Sequence, residues 1–298
     1  MAIINLGSLN LDRVFRVPHI VAPGETIAAH SLVTFAGGKG ANQSVAMARA
    51  GAHVKHVGKV GTDGAWLVEK LSAEGIDTSG IAECPQPTGQ AIIQVDAAGE
   101  NCIVLLGGAN RALTEPDVDR ALAGTAPGSW LLLQNETSAV PYAIRRGHEL
   151  GLRVAFNPAP FDETVREYPL ELVHLLCVNH SEGAALAGEQ SPEQIVTVLA
   201  QRLPGAEILL SLGAQGVRYQ GPVGSLVEPA PTVTAVDTTA AGDTLLGYFL
   251  ACHDRGLGPR ESLRLACHAA ALCVARAGAM DSIPRWADVA ALVGGKSQ

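Results

Sequence analysis

The stretch that decides the reading of this chain is Thr232-Val233-Thr234-Ala235-Val236-Asp237-Thr238-Thr239-Ala240-Ala241-Gly242-Asp243-Thr244-Leu245-Leu246-Gly247. A β-branched run ends at Asp237, three residues without bulk follow (Ala240, Ala241, Gly242), and Asp243 opens an apolar helical stretch from Thr244 to Cys252. That order predicts a strand, a tight turn and a helix N-terminus. Unpaired N–H groups and the positive end of the helix dipole favour an anion such as phosphate there. An acid in the same first turn can accept the proton of a hydroxyl that attacks the phosphate. The same residues also fit a plain Asp-capped helix start.

Outward from that loop, short apolar runs alternate with helical patterns. Ile3-Ile4-Asn5-Leu6-Gly7 reads as a buried first strand that delivers Asn10 and Asp12 just past its carboxyl end, where open α/β sheets bind ligands. Gly37-Gly38-Lys39-Gly40-Ala41-Asn42 opens a helix over Gln43 to Ala50. It is not a P-loop, because Val33 stands where the first glycine should be and Gly40 follows Lys39. Val54 to Val57 reads as a strand, and Asp63 as the cap of a helix reaching about Glu74. After Thr114 come strands at Trp130 to Gln134, Val154 to Phe156, Leu175 to Val178 and Ile208 to Leu212, separated by helices. One of these begins at Ser191-Pro192-Glu193-Gln194, a capping-box pattern with proline at the first helical position. A short run at Ser225 to Val227 precedes the central loop, and helices over Thr244 to Asp254, Arg260 to Ala275 and Ala287 to Leu292 close the chain. The alternation predicts an α/β fold, a mostly parallel sheet with helices on both faces, as one domain over residues 1–298. Two stretches break it: residues 13–36, alternating from Thr26 to Phe35, and residues 88–106, a hairpin pattern of Gln90 to Val95 and Cys102 to Leu106. They predict a small β lid.

Composition bounds the function. The 298 residues are 47% apolar and 17% charged, enough for a sizeable core. With 21 basic and 29 acidic residues the net charge is −8, which argues against nucleic acid or an anionic membrane as main partner. Six cysteines without a C-x-x-C pair, most of them in apolar runs, fit free thiols in a reducing compartment. Met1 to Leu6 carries no basic n-region, and no run of about 18 apolar residues occurs. A cytoplasmic protein is expected.

Polar residues recur just after the expected strands: Asn10 and Asp12, Lys39 and Asn42, Glu136, Asn157, Asn179 and Glu182, then Asp243. In this the chain resembles the ribokinase (PfkB) family of carbohydrate kinases along essentially its whole length. The two specific motifs are Ala36-Gly37-Gly38-Lys39-Gly40-Ala41-Asn42-Gln43 and Asp237-Thr238-Thr239-Ala240-Ala241-Gly242-Asp243. Pro23-Gly24-Glu25-Thr26, Gly107-Gly108-Ala109-Asn110, Asn157-Pro158-Ala159-Pro160, Asn179-x-x-Glu182 and Leu212-Gly213-x-x-Gly216 accompany them in order.

The resemblance implies an ATP-dependent sugar kinase acting on the 5-hydroxyl of D-ribose. Asn10, Asp12, Gly38, Lys39, Asn42 and Glu136 would hold the sugar, Asp243 would be the base, and backbone N–H groups of Ala240, Ala241, Gly242 and Asp243 would form the anion hole. Asn179 and Glu182 would organise Mg²⁺ and phosphate through water. Ser211, Gly213, Gly216, Gly242 and His268 would lie along ATP. Asp237, Thr239, Gly278 and Ser282, with carbonyls of Cys273 and Arg276, would wrap a monovalent cation, K⁺ by the family pattern. A homodimer joined through the lid is also implied. Blander readings stay open: Lys39, Asp12 and Glu136 as surface charges, Asn179 with Glu182 as a helix cap, His268 as a structural histidine. Leu246 and Tyr248 depart from the family's smaller or polar residues, which puts the packing behind the loop in question. The rivals are a kinase of the same family for 2-deoxyribose, a ketosugar or a nucleoside, and a sugar-binding protein without catalysis.

Overall fold

The computed structural model describes residues 2–294; Met1 and residues 295–298, the ends of the expected domain, lie outside the described residues. Nine strands form the main sheet. In spatial order they are β13 (Gly224–Glu228), β12 (Val217–Gly221), β11 (Glu207–Ser211), β10 (Leu175–Asn179), β9 (Arg153–Asn157), β8 (Trp130–Gln134), β1 (Ile3–Leu6), β4 (Val54–Val60) and β5 (Asp77–Glu83). All neighbours pair in parallel except β11 with β12 and β12 with β13, an antiparallel edge.

Side-chain alternation sorts the strands onto two cores. Ile3, Leu132, Ala155 and Leu209 face one layer, made by α1 (Lys39–Arg49), α2 (Ala65–Ala73), α7 (Ala241–Asp254), α8 (Pro259–Val274) and α9 (Trp286–Gly294). Ile4, Leu131, Leu133 and Val154 face the other, made by α3 (Glu115–Leu122), α4 (Val140–Glu149), α5 (His180–Ala187) and α6 (Pro192–Arg202). A second sheet of four strands, in the order β3 (Ser31–Gly37), β2 (Asn10–Arg16), β6 (Gly89–Val95) and β7 (Asn101–Leu106), forms the lid. Asn10 and Asp12 therefore belong to the first lid strand.

Several local expectations are corrected. Asp63 does not cap α2; its Oδ1 accepts the N–H and the hydroxyl of Thr88 (3.0 and 2.6 Å), tying the start of α2 to the lid. Ser191 precedes Pro192 as expected, but no side-chain cap forms, and its hydroxyl donates to Glu193 Oε2 at 2.9 Å. No strand covers residues 232–237, and Thr26 to His30 lie outside β3. The packing behind the central loop is sound, with Leu246 and Tyr248 both buried and the Tyr248 hydroxyl donating to Pro284 O at 2.8 Å.

Helices α1 and α7 cross closely at Gly247, one turn beyond Asp243. A Cβ there would stand 2.5 Å from Ala46 Cβ and 3.0 Å from Gln43 O. Gly247→Val should therefore lower unfolding free energy by at least about 2 kcal/mol, as overpacking does. Denaturant titration checks this, and wild-type stability would contradict the close crossing.

Candidate active site

The first turn of α7 faces open space. Ala240 takes the left-handed conformation (φ 61°), Ala241 N–H donates to Thr238 O at 3.3 Å, and Thr244 N–H donates to Ala240 O at 2.8 Å. A Cβ on Gly242 would meet nothing within 4 Å. The N-terminus of a 14-residue helix is thus accessible to an anion. Asp243, only 8% exposed, sits beside that opening. Its Oδ2 accepts Asn42 Nδ2–H at 3.0 Å and its Oδ1 accepts Gln43 Nε2–H at 2.9 Å.

The glycine turn before α1 brings the remaining polar groups to the same place. Gly38 has φ 93°, open to glycine but strained for other residues, and a Cβ on Gly40 would fall 2.3 Å from Ser8 N. Glu136 Oε2 accepts Lys39 N–H at 3.0 Å and also the Ser8 hydroxyl. Asn10 Oδ1 accepts Asn110 Nδ2–H at 2.8 Å. The Asp12 carboxylate lies across Gly37, where an added Cβ would be 2.0 Å from Oδ2. Asn42 Oδ1 is buried without a partner.

Charge is concentrated here. Burial, with the nearby carboxylates of Glu136 and Asp243, pushes the Asp12 carboxyl up to about 7, against the opposing pull of Lys39. Burial likewise pushes Glu136 up, although Lys39 and Ser8 oppose it. For Lys39 burial works downward, but the carboxylates of Asp243, Glu136, Glu182 and Asp12 outweigh it and hold the ammonium above its usual range. A charged lysine facing acidic groups is a donor set suited to hydroxyls and phosphate.

Asn179 and Glu182 form a reciprocal cap on α5. Glu182 Oε2 accepts Asn179 N–H at 3.0 Å, Oε1 accepts Asn179 Nδ2–H at 2.8 Å, and Asn179 Oδ1 accepts Glu182 N–H at 2.9 Å. Each Glu182 oxygen already accepts one hydrogen bond, which leaves each a lone pair for a water. A cavity of about 420 Å³ lined by Lys39, Ala159, Pro160, Phe161, Ser181 and Glu182 joins this cap to the lysine. A larger hollow of about 520 Å³ between α2 and β5 is lined by Glu69, Ser72, Thr78 and Glu83 among apolar residues and offers no cationic side chain to meet a phosphate.

Ser211 ends β11, and Gly213 (φ 57°) and Gly216 (φ 92°) shape the turn that follows; a Cβ on Gly216 would fall 2.1 Å from Glu228 O. His268 turns back on its own helix, with Nδ1 2.8 Å from Arg264 O. Most of the residues expected at the cation site do come together. Asp237 Oδ1 accepts Thr239 N–H at 2.9 Å and Oδ2 accepts Gly278 N–H at 3.0 Å. Cys273 Sγ lies 3.1 Å from Ser282 Oγ and 3.7 Å from Thr239 O. Burial raises the Asp237 carboxyl, but the Thr239 and Gly278 bonds outweigh it and keep it below the usual range. The Arg276 side chain points to Asp288 Oδ2 (3.1 Å).

Three buried residues to which motif reading gave no role adjoin the site: Asn5, Gln43 and Gln134. Gln43 stands in the glycine-rich motif. Asn5 and Gln134 carry a subtler signal, each being a polar residue inside an apolar strand run.

Comparison with known proteins fits this geometry. The model of the pfkB family carbohydrate kinases matches residues 2–286. The ribokinase of Haemophilus influenzae is 38% identical over 290 residues, covering 94% of each chain. Among solved structures, Cryptococcus neoformans ribokinase in complex with ADP is 34% identical with a TM-score of 0.85, covering 98% of this chain and 99% of that one. Arabidopsis thaliana ribokinase complexed with ribose and ATP is 29% identical with a TM-score of 0.87, covering 98% of both chains. With the family model matched over residues 2–286 and a relative 38% identical over nearly the whole chain, the chain belongs to the pfkB family of carbohydrate kinases.

Proposed function

We propose that this chain transfers the γ-phosphoryl group of ATP to the 5-hydroxyl of D-ribose. The observation that carries the reading is Asp243: a carboxylate held by two amides, in the first turn of a helix whose N-terminus faces open space. The sugar oxygen forms a bond to the γ-phosphorus as the bond to the β–γ bridging oxygen breaks, ADP leaves, and the hydroxyl proton passes to Asp243. N–H groups of residues 240–243 would stabilise the charge on the moving phosphoryl, that of Ala241 by exchanging its long 3.3 Å bond to Thr238 O. Asn10, Asp12, Gly38, Lys39, Asn42 and Glu136 orient the sugar, and Ser211, Gly213, Gly216 and His268 line the nucleotide. Asn179 and Glu182 would approach Mg²⁺ through water, and the ion, when bound with ATP, would supply neutralisation of the phosphate charge. The Asp237, Thr239, Cys273, Arg276, Gly278 and Ser282 group suits K⁺, which would order the anion loop electrostatically. The six free thiols support a reducing, cytoplasmic setting.

A substrate panel of ribose, 2-deoxyribose, fructose and adenosine, followed by ADP release, tests the assignment, with ribose expected to lead. Asp243→Asn should keep fold and sugar binding while lowering kcat by about 10²-fold or more, the scale for a positioned base. Near-normal turnover would remove Asp243 from the mechanism.

Asp12 should be the main reason ribose is preferred over 2-deoxyribose. A buried acceptor left short of a hydroxyl costs on the order of 1–3 kcal/mol, roughly tenfold to a hundredfold in kcat/KM. Asp12→Ala should weaken ribose use and narrow that preference, and an unchanged ratio would contradict the role. The carboxylate is the stronger acceptor and burial pushes the Asp12 carboxyl up to about 7, so ribose affinity should fall as pH drops through that value. Calorimetry should show a loss of about tenfold between pH 8 and pH 6 in the wild type and a flatter profile in Asp12→Ala.

Activity should be higher in K⁺ than in Na⁺, and Asp237→Ala should abolish the difference. Equal rates of the wild type in both salts would refute the cation assignment.

A homodimer through the lid is supported by the apolar exposure of Leu32, Val33, Ile103, Val104, Leu105 and Leu106, each about half exposed or more. Light scattering at micromolar concentration should give twice the chain mass, and a monomer would count against it.

A further inference from the structure

Beneath the site, fully buried polar side chains run from β1 and β8 to Asp243, and their hydrogen bonds permit one direction only. The Gly40 carbonyl can only accept, and it takes Asn5 Nδ2–H at 2.7 Å; the same amide nitrogen donates to Ser44 Oγ at 2.8 Å. Asn5 Oδ1 therefore faces Gln134 and accepts its Nε2–H at 2.9 Å. That nitrogen also donates to Gln43 Oε1 at 2.6 Å. The oxygen of the Gln43 amide is thereby committed, and its nitrogen points at Asp243 Oδ1.

Two further locks agree. Asn157 Nδ2 donates to Cys177 O at 3.0 Å, which turns Asn157 Oδ1 toward Gln43 Nε2 at 3.2 Å. Burial pulls His56 down to about 4, so its ring is neutral. Its Nε2–H then serves Gly7 O (3.2 Å) and its Nδ1 accepts the Ser44 hydroxyl (2.9 Å), leaving Ser44 Oγ as the acceptor Asn5 needs. Asn5, Gln43, Ser44, His56 and Gln134 are all fully buried, so bulk solvent does not compete for these bonds. The chain is also not optimised for bond count, since Gln134 Oε1 has no partner while its nitrogen serves two acceptors.

We propose that Asn5 and Gln134 are positioning residues: neither touches substrate, and together they fix the amide of Gln43 so that it offers a donor, not an acceptor, to Asp243. A reversed Gln43 would set its Oε1 against a carboxylate oxygen and turn Asp243 away from the sugar hydroxyl. The inference rests on Asp243 being the base.

Gln134→Glu and Gln134→Met separate direction from packing. An ionised carboxylate has no hydrogen to give Gln43 Oε1 and attracts Gln43 Nε2, so it reverses the amide; methionine only removes the donor. We expect kcat about 10²-fold down in Gln134→Glu and about tenfold down in Gln134→Met, with ribose Kd within threefold of wild type in both. A neutral acid does carry an O–H, so the kcat of Gln134→Glu relative to wild type should rise as pH is lowered, which a packing role would not produce. If Gln134→Glu does not fold, Gln134→Met carries the test. Wild-type kcat in the folded variants, or kcat and ribose Kd worsening together, would overturn the inference. Asp243→Asn run alongside separates the two failures: an active Asp243→Asn removes the base assignment itself, whereas an inactive one beside normal Gln134 variants removes only the positioning role.

Discussion

The constraint on which this structure depends is the burial of one carboxylate between two amides. Asp243 lies in the first turn of α7, Asn42 and Gln43 in the first turns of α1, and their bonds of 3.0 and 2.9 Å require the two helices to start side by side. Gly247 makes that possible by removing the side chain that would hold the helices apart. The glycine-rich turn follows from the same demand, because Gly40 must rest against Gly7 and Ser8 for α1 to begin where it does. A buried carboxylate is costly without hydrogen-bond donors, and the two amides supply one to each oxygen.

A second consequence is electrostatic. Lys39 is the cation around which Asp243, Glu136, Glu182 and Asp12 gather, and without it their mutual repulsion in a buried site would be severe. The lid contributes Asp12 and Asn10 from its first strand, so the sheet that covers the site also supplies part of its chemistry.

Much of this was legible in the sequence, and the omissions have physical causes. Trp130 to Leu133 is a continuous apolar run, the mark of a strand covered on both faces, and the structure places β8 there. Strand β5 lies at the sheet edge, with polar Asp77, Thr78 and Ser79, and has no such mark. Strand β12 hides behind Gly216, where a turn reading prevails. Asp63 and Ser191 have the composition of caps, but Thr88 from the lid takes the first and Glu193 the second, choices made by partners that local patterns do not contain. The motif residues at the site were readable because glycine and acid spacing reflects backbone geometry. Asn5 and Gln134 were not, because what makes them functional is a meeting between β1, β8 and α1 across 129 and 91 residues of chain.

The central claim is a defined phosphoryl transfer from ATP to one oxygen of one sugar. Phosphorus NMR of the product made from ribose and ATP tests it most directly, because a phosphate on the C5 oxygen couples to two methylene protons. The account predicts a single phosphate ester at O5, formed in step with ADP. A phosphate at the anomeric carbon, or ADP released without any sugar phosphate, would contradict it.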